Sequence, residues 1–278
     1  MSLARRLVDA AARRAGELRL ALFRPGSPHT FWIVSAGHNV AKFVDRHMDS
    51  IEAQDYDPAL VQHLIIDDAS TDGTGDLVDR RILARGGSGL RRVHNDLRRG
   101  GCANLTRAFR EAPAGSIVLQ VDADDWLPEP RVLAYLDMLY HDPDLWMTYN
   151  SWVFPDGRPS LNSDPIPRRV VEQNSFRDHS WISSHLHTFR RELFDHVEED
   201  GLKDPETGDY WTAAVDMSHY FPMLELAGEH ARHVRRITYV YNEHPGSLIS
   251  AKREHQLGCE KRIRALPRYS RLVSLERG

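Results

Sequence analysis

Short apolar runs that end in polar residues alternate, along the first half of the chain, with segments whose apolar residues recur every three or four positions. FWIVS (31–35), HLIID (63–67), LRRVHN (90–95) and SIVLQV (116–121) have the length and composition of strands. Between the first two, Val40, Val44, Met48 and Ile51 recur at helical spacing, and a further helical segment is expected from about 102 to 111. Strand and helix in alternation predict an α/β fold with a mostly parallel sheet and helices on both faces. Such sheets bind ligands beyond the carboxyl ends of their strands. Those ends read SAGHN (35–39), DDASTDGT (67–74), HNDLRRGGCAN (94–104) and DADDW (122–126), all polar, and rich in glycine or acid.

Beyond residue 145 the pattern changes. WMTYNSWVF (146–154) is β-prone, the 155–180 region is loop-rich with prolines at 155, 159, 165 and 167, and helical periodicity returns in FRRELFDHV and MSHYFPMLELAG. EEDGLKDPETGDY (198–210) reads as an exposed flexible loop. At the other end, residues 2–24 place Leu3, Leu7, Ala11, Leu18 and Leu22 on one stripe of a basic amphipathic helix, which RPGSPHT (24–30) then breaks. That stripe suits either a membrane-surface foot or packing against the protein's own domain or a partner.

Composition narrows the classes. With 41% hydrophobic and 27% charged residues the 278-residue chain has ordinary globular usage. A net charge of -4 gives no bulk attraction to nucleic acid, so no nucleic-acid partner is expected. Two cysteines without C-x-x-C spacing suggest neither a disulfide framework nor a zinc ribbon. The arginine-laced N-terminus lacks the apolar core of a signal peptide, and no window is long and apolar enough for a membrane span. A cytoplasmic protein is expected, peripheral at the inner face of the membrane if residues 2–24 meet lipid.

VDADDW (121–126) puts three carboxylates into four residues. Like charges so close raise one another's pKa values unless a cation or donors sit among them. Mn2+ or Mg2+, a hard ion that needs only one or two protein carboxylates and keeps waters and a phosphate, would resolve the conflict. The other reading is a solvated acidic turn in which an Asp caps a helix starting near Pro128. A second acidic cluster, DDASTDGT, at the end of another strand favours a ligand site, since its carboxylates and hydroxyls suit a base and ribose.

These segments resemble the inverting nucleotide-sugar glycosyltransferases of family 2, which have the GT-A fold. IIDDASTDGT is similar to that family's VDDGSTDGT, HNDLRRGGCANLTRAF to its N-x-G-x-x-x-A-x-N pattern, and QVDADDWLPEP to its LDADD-x-x-x-P motif. The likeness covers residues 31–140 well and continues more weakly to about 250. It implies a GT-A (Rossmann-like) sheet flanked by helices, divided as an N-terminal helix and linker (1–28), a glycosyltransferase domain (29–255) and a C-terminal helical tail (256–278). Within the domain, 29–145 would be the nucleotide-sugar half and 146–255 the acceptor half.

Carried over by position, Asp68 would hydrogen-bond the base, with Ala36 and Asn39 beside it and Asp67 supporting the turn. Arg98 or Arg99 would lie over the base or diphosphate. Asp122 and Asp124 would hold the ribose and metal, and Asp125 would join the metal shell. AGHN stands where the family usually has P-x-Y-N, so His38 replaces a Tyr. AAVDMSHYFPMLELAG resembles the family's E-D-x-x-L-x-x-R-L-x-x-x-G segment, making Asp216 the implied catalytic base, although Val215 replaces the usual acid and an Asp before a helix can also be a plain N-cap. VYNEHPGSLIS (240–250) resembles Y-x-x-H-x-x-S-x-S and makes His244 the implied further metal ligand; an ordinary surface or core His is the alternative. Trp181, His185, His187 and Arg190 are candidates for the acceptor and donor-sugar wall, or for ordinary structural roles.

The implied activity is inverting transfer from a nucleotide diphosphate-sugar, by family frequency a UDP-sugar, to a hydroxyl of a glycan or lipid-linked acceptor, with Mn2+ or Mg2+ as cofactor. A sugar nucleotidyltransferase would carry a Gly-rich phosphate loop near the first strand, which SAGHNVAKF does not offer. A non-catalytic nucleotide-sugar-binding or scaffolding protein on the same fold is the other alternative. The sequence does not specify the oligomeric state.

Overall fold

In the computed structural model, residues 27–160, 162–244 and 253–276 are described. The expected helix over 2–24 lies outside them, as does the second half of VYNEHPGSLIS. Each of the four predicted runs is a strand: β1 (Phe31–Gly37), β2 (Val61–Asp67), β3 (Leu90–His94) and β4 (Ile117–Gln120). They are joined by helices α1 (Val44–Glu52), α2 (Thr74–Ala84) and α3 (Gly101–Glu111), and all pair in parallel. Strand side chains alternate between faces. Phe31 and Ile33 therefore pack with Ile117 and Leu119 on one side, while Trp32 and Val34 pack with Leu64, Ile66 and α3 on the other.

Past β4 come α4 (Val132–Tyr140), β5 (Met147–Val153), α5 (Arg168–Glu172), β6 (His187–Arg190), α6 (Arg191–Asp195), α7 (Val215–Ala227), β7 (Ala231–Val240) and α8 (Arg253–Ala265). The seven strands are ordered β3-β2-β1-β4-β6-β5-β7, with β6 antiparallel to both neighbours and β7 parallel to β5. Because two reversals restore the original direction, β7 ends on the same side of the sheet as β1 to β4. β6 starts on that side and ends on the other.

Three local expectations need correction. FRRELFDHV is not one helix: Phe189 and Arg190 finish β6, whose buried pairing with β4 outweighs the helical spacing, and only Arg191–Asp195 is helical. The 198–210 segment is pinned, with Leu202 fully buried and Asp204 bound by Arg262 of α8 at 2.6 Å. The helix after VDADDW starts at Val132 with Arg131 as N-cap, so none of the three aspartates caps it. In the C-terminal segment only Arg253–Ala265 is helical, and Leu275 beyond it is buried against the main core. Among the described residues no helix is long and apolar enough to cross a membrane.

Candidate active site

Strand register sets the first half of the site. Gly37, Asp67 and His94 occupy one row across β1, β2 and β3, so the three following loops leave the sheet together. A Cβ on Gly37 would lie 2.9 Å from the Cβ of Ala123 and from Val40 Cγ2, which is why the β1 loop and the acidic loop can touch only with glycine here. Ala36 receives the backbone N–H of Ala123 at 3.4 Å from the same junction. Asn39, at a φ of 56°, accepts from the Thr71 N–H at 2.8 Å, and its own N–H donates to the Ser70 hydroxyl at 2.9 Å. His38 contacts the Asp68 carbonyl at 2.9 Å through Nδ1. The first loop is thus laced to the second.

Asp67 accepts from Ser70 N–H at 2.9 Å and from Arg92 at 3.2 Å, and so holds the turn. The neighbouring Asp68 carboxylate is saturated. Oδ1 takes Asn95 Nδ2 at 2.9 Å and the Arg99 N–H at 2.8 Å, while Oδ2 takes Arg98 Nε at 3.1 Å and the Gly100 N–H at 3.0 Å. Burial alone would raise its pKa; these donors override it and bring it down to about 2. Asp68 therefore shapes the loop that leads into α3, leaving the Arg98 and Arg99 side chains exposed at the rim.

Within the VDADDW loop the balance is reversed. Asp122 accepts from Gln120 Nε2 at 2.9 Å, and Gln120 in turn accepts the Tyr220 hydroxyl of α7 at 2.6 Å. Its pKa rises to about 6, chiefly through burial and then through Asp216 and Asp124, with His185 working against them. Asp124 Oδ2 lies 2.9 Å from His244 Nε2, and the His244 ring rests 4.5 Å from that of Phe43. Asp125 is buried, with one oxygen on the Tyr239 hydroxyl and the other on the Asn242 N–H at 2.7 Å; burial, then Asp124 and Asp122, push its pKa well up. Its carboxyl fastens the acidic loop to the end of β7.

Asp216 lies in the first turn of α7, one residue inside the helix rather than ahead of it. The N-cap is Ala214, at a left-handed φ of 53°, so Asp216 is not a cap. Asp216 is near enough to Asp122 for its charge to raise that carboxyl, and the same helix contributes Tyr220 one turn later. His185 is stacked on Tyr239 at 4.8 Å and on Tyr241 at 5.5 Å, facing Asp122. His187 is buried, stacked on Tyr220 at 3.5 Å, with Trp181 edge-on to Phe221 at 5.1 Å nearby. Arg190 is elsewhere: at the far end of β6 it donates to the carbonyls of Leu145 at 2.8 Å and Tyr140 at 2.6 Å, at the opposite end of the strands.

Gln120, Tyr220, Tyr239 and Asn242 belong to the hydrogen-bond network of the acidic loop and are not singled out from the sequence. TYVYN offered a signal, because Tyr239 near the end of β7 and Tyr241 just beyond it are two apart, and both rings stack on His185.

A seven-stranded, mostly parallel sheet with this order, with acidic loops at the carboxyl ends of its strands, is a doubly wound α/β scaffold. The chain belongs to glycosyl transferase family 2, whose model matches residues 32–198. Its fold is the GT-A fold. S. aureus TarS 1-349, solved in complex with UDP-GlcNAc, is similar at a TM-score of 0.58 and 17% identity over 80% of this chain and 61% of that one. The mannosyltransferase PcManGT of Pyrobaculum calidifontis, solved with GDP-Man and Mn2+, gives 0.56 and 23% over 92% and 73%. The glucosyl-3-phosphoglycerate synthase of Mycobacterium tuberculosis, solved with Mn2+, UDP and glucosyl-3-phosphoglycerate, gives 0.56 and 16% over 88% and 87%. The chain thus spans about three fifths of the TarS fragment it matches. No curated protein matches it.

Proposed function

We propose that this protein is an inverting glycosyltransferase that moves a sugar from a nucleotide diphosphate-sugar, UDP-linked in the first instance, to a hydroxyl of a glycan or lipid-linked acceptor. The observation that carries the reading is the meeting of the acidic loop with α7 and the end of β7: Asp122 is linked to Tyr220 through Gln120, Asp124 meets His244, and Asp125 holds Tyr239 and Asn242. Family membership and the nucleotide-sugar complexes of its structural neighbours support it.

The residues fit a divalent cation. The Asp122 carboxyl, raised to about 6 by burial and then by Asp216 and Asp124, marks a cluster short of positive charge, and Asp124 with His244 supplies an oxygen and a nitrogen 2.9 Å apart beside it. Asp124 and His244 would hold Mn2+ or Mg2+ with Asp122 beside them, and Asp125 would join only by giving up Asn242 or Tyr239. Such an ion supplies countercharge to a departing diphosphate. Arg98 and Arg99 reach the same edge as cations for the donor, positioned by Asp68. Asp216, partly accessible at the start of α7, takes the proton of the acceptor hydroxyl as that oxygen attacks the anomeric carbon; one displacement inverts the centre. His185, stacked with the rings of Tyr239 and Tyr241, and Trp181 form the wall against which the sugars are held.

A thermal-shift screen of UDP, GDP and dTDP with and without Mn2+ tests the donor site, since a ligand bound only by the native state raises Tm by mass action. A rise of several degrees with one diphosphate, dependent on Mn2+, is expected. No shift with any of the three would overturn the reading.

A further inference from the structure

We propose that His29, Asp137 and His141 form a second metal site, for an ion of the Zn2+ class, at the end of the strands opposite the acidic loops. His29 lies two residues before β1, Asp137 in the last turn of α4, and His141 at that helix's C-cap. One ligand atom from each residue lies within 4.8 Å of the other two. The site shares no residue with the Asp122–Asp125 cleft and does not depend on the function proposed for it.

Residue type, spacing and setting agree. Asp137 and His141 are four apart, which places both on one face of the helix, and His29 closes the third side from the strand. His29 Nδ1 is 2.8 Å and its backbone N–H 2.9 Å from Asp137 Oδ1, so the chain leading into β1 is already folded around that carboxylate. The Tyr56 hydroxyl, donating to the His29 carbonyl at 2.7 Å, fixes it from behind. His141 Nδ1 is 2.8 Å from the Asp137 carbonyl, the kind of backbone contact that sets the orientation of ligating imidazoles. The two rings stand 4.8 Å apart at 84°, edge to face. Side-chain exposures of 18%, 6% and 20% leave one open direction for a water.

Two imidazoles and one carboxylate make a borderline donor set, which prefers Zn2+ to the hard ions suited to the oxygen-rich loop across the sheet. The carbonyl end of α4 adds negative potential. Arg190, which also approaches this helix end, has its guanidinium on the carbonyls of Leu145, Tyr140 and Asp142. On binding, His29 takes the tautomer with its proton on Nε2, so that Nδ1 and the Asp137 carboxylate are both free to hold the ion, which clasps the start of β1 to α4.

Zn2+ titration of the full chain against a chromophoric chelator tests this. One tight equivalent is expected in the wild type and in Asp124→Asn, and its affinity should fall on the order of 100-fold or more in the double variant His29→Ala, His141→Ala. The Mn2+-dependent nucleotide shift should be unchanged in that double variant. Wild-type imidazole NMR guards against a misfolded variant: the first equivalent of Zn2+ should move the ring resonances of His29 and His141 together. Unmoved rings, or a double variant that binds Zn2+ as the wild type does, would overturn the proposal.

Discussion

Asp68 and Asp122 both follow buried strands of one sheet, yet their surroundings drive them in opposite directions. Asp68 receives four donors, two of them backbone N–H groups at the start of α3, and its carboxyl falls to about 2. Asp122 receives one amide N–H, faces Asp124 and Asp216, and rises to about 6. Burial raises both; at Asp68 the hydrogen-bond donors outweigh it, while at Asp122 burial prevails and neighbouring carboxylates add to it. The first loop is finished as a piece of protein. The second is left short of positive charge, which is what a cation-bound diphosphate supplies.

That contrast is sharpened most by removing charge from the donor-poor side. Asp216→Asn should lower transfer by about 100- to 10,000-fold, the usual worth of a general base, while nucleotide binding by thermal shift is retained. Wild-type turnover in that variant would take the base role from Asp216. Asp124→Asn should abolish the Mn2+-dependent part of the nucleotide shift and leave the fold intact by circular dichroism; a shift that still depends on Mn2+ would place the ion elsewhere.

On the donor-rich side the same substitution should act on stability instead. Asp68→Asn turns an amide N–H2 toward one of the backbone donors at Arg99 and Gly100 and leaves buried groups unsatisfied, at a cost of about 2–3 kcal/mol. Urea unfolding measures it. A neutral result would mean that Asp68 is held for a ligand rather than for its loop.

Much of this was legible in the sequence, and the parts that were not share a cause. Four apolar runs and their polar ends foretold β1 to β4, and the quoted motifs foretold the family now matched over 32–198. The pairing of Asp124 with His244, 120 positions apart, followed from resemblance alone, because no local pattern links a loop after β4 with the end of β7. Asp68 could be named but its four donors could not, since two are backbone groups whose direction depends on how Gly100 turns at a φ of 84°. The family resemblance groups Arg190 with His185 and His187. A short antiparallel strand carries it to the far end of the strands, where it serves helix-end carbonyls. Strand direction in β6 is decided by pairing with β4 and β5, information that four residues do not contain.

The smallest expected effect tests the sign of the Asp122 shift. A carboxyl raised from its ordinary value to about 6 in the folded state contributes stability fully present below the ordinary value and lost as pH rises through about 6. At pH 7 without metal, Asp122→Asn removes the repelled charge, keeps an acceptor for Gln120, and should be more stable than the wild type by about 1–2 kcal/mol. Total stability cannot be read directly. His47 and His219, lowered to about 4 by burial, and His63 and His187, lowered further, make the whole protein lose stability as pH falls below the ordinary imidazole value. Those histidines are common to both proteins and cancel in the difference. The gap between the Asp122→Asn variant and the wild type should therefore close from pH 7 to 4.5, in a range where Asp68, already ionised in the folded state, contributes little change. A gap that holds constant across that range would mean Asp122 keeps its charge at no cost, and the contrast between the two strand ends would fail.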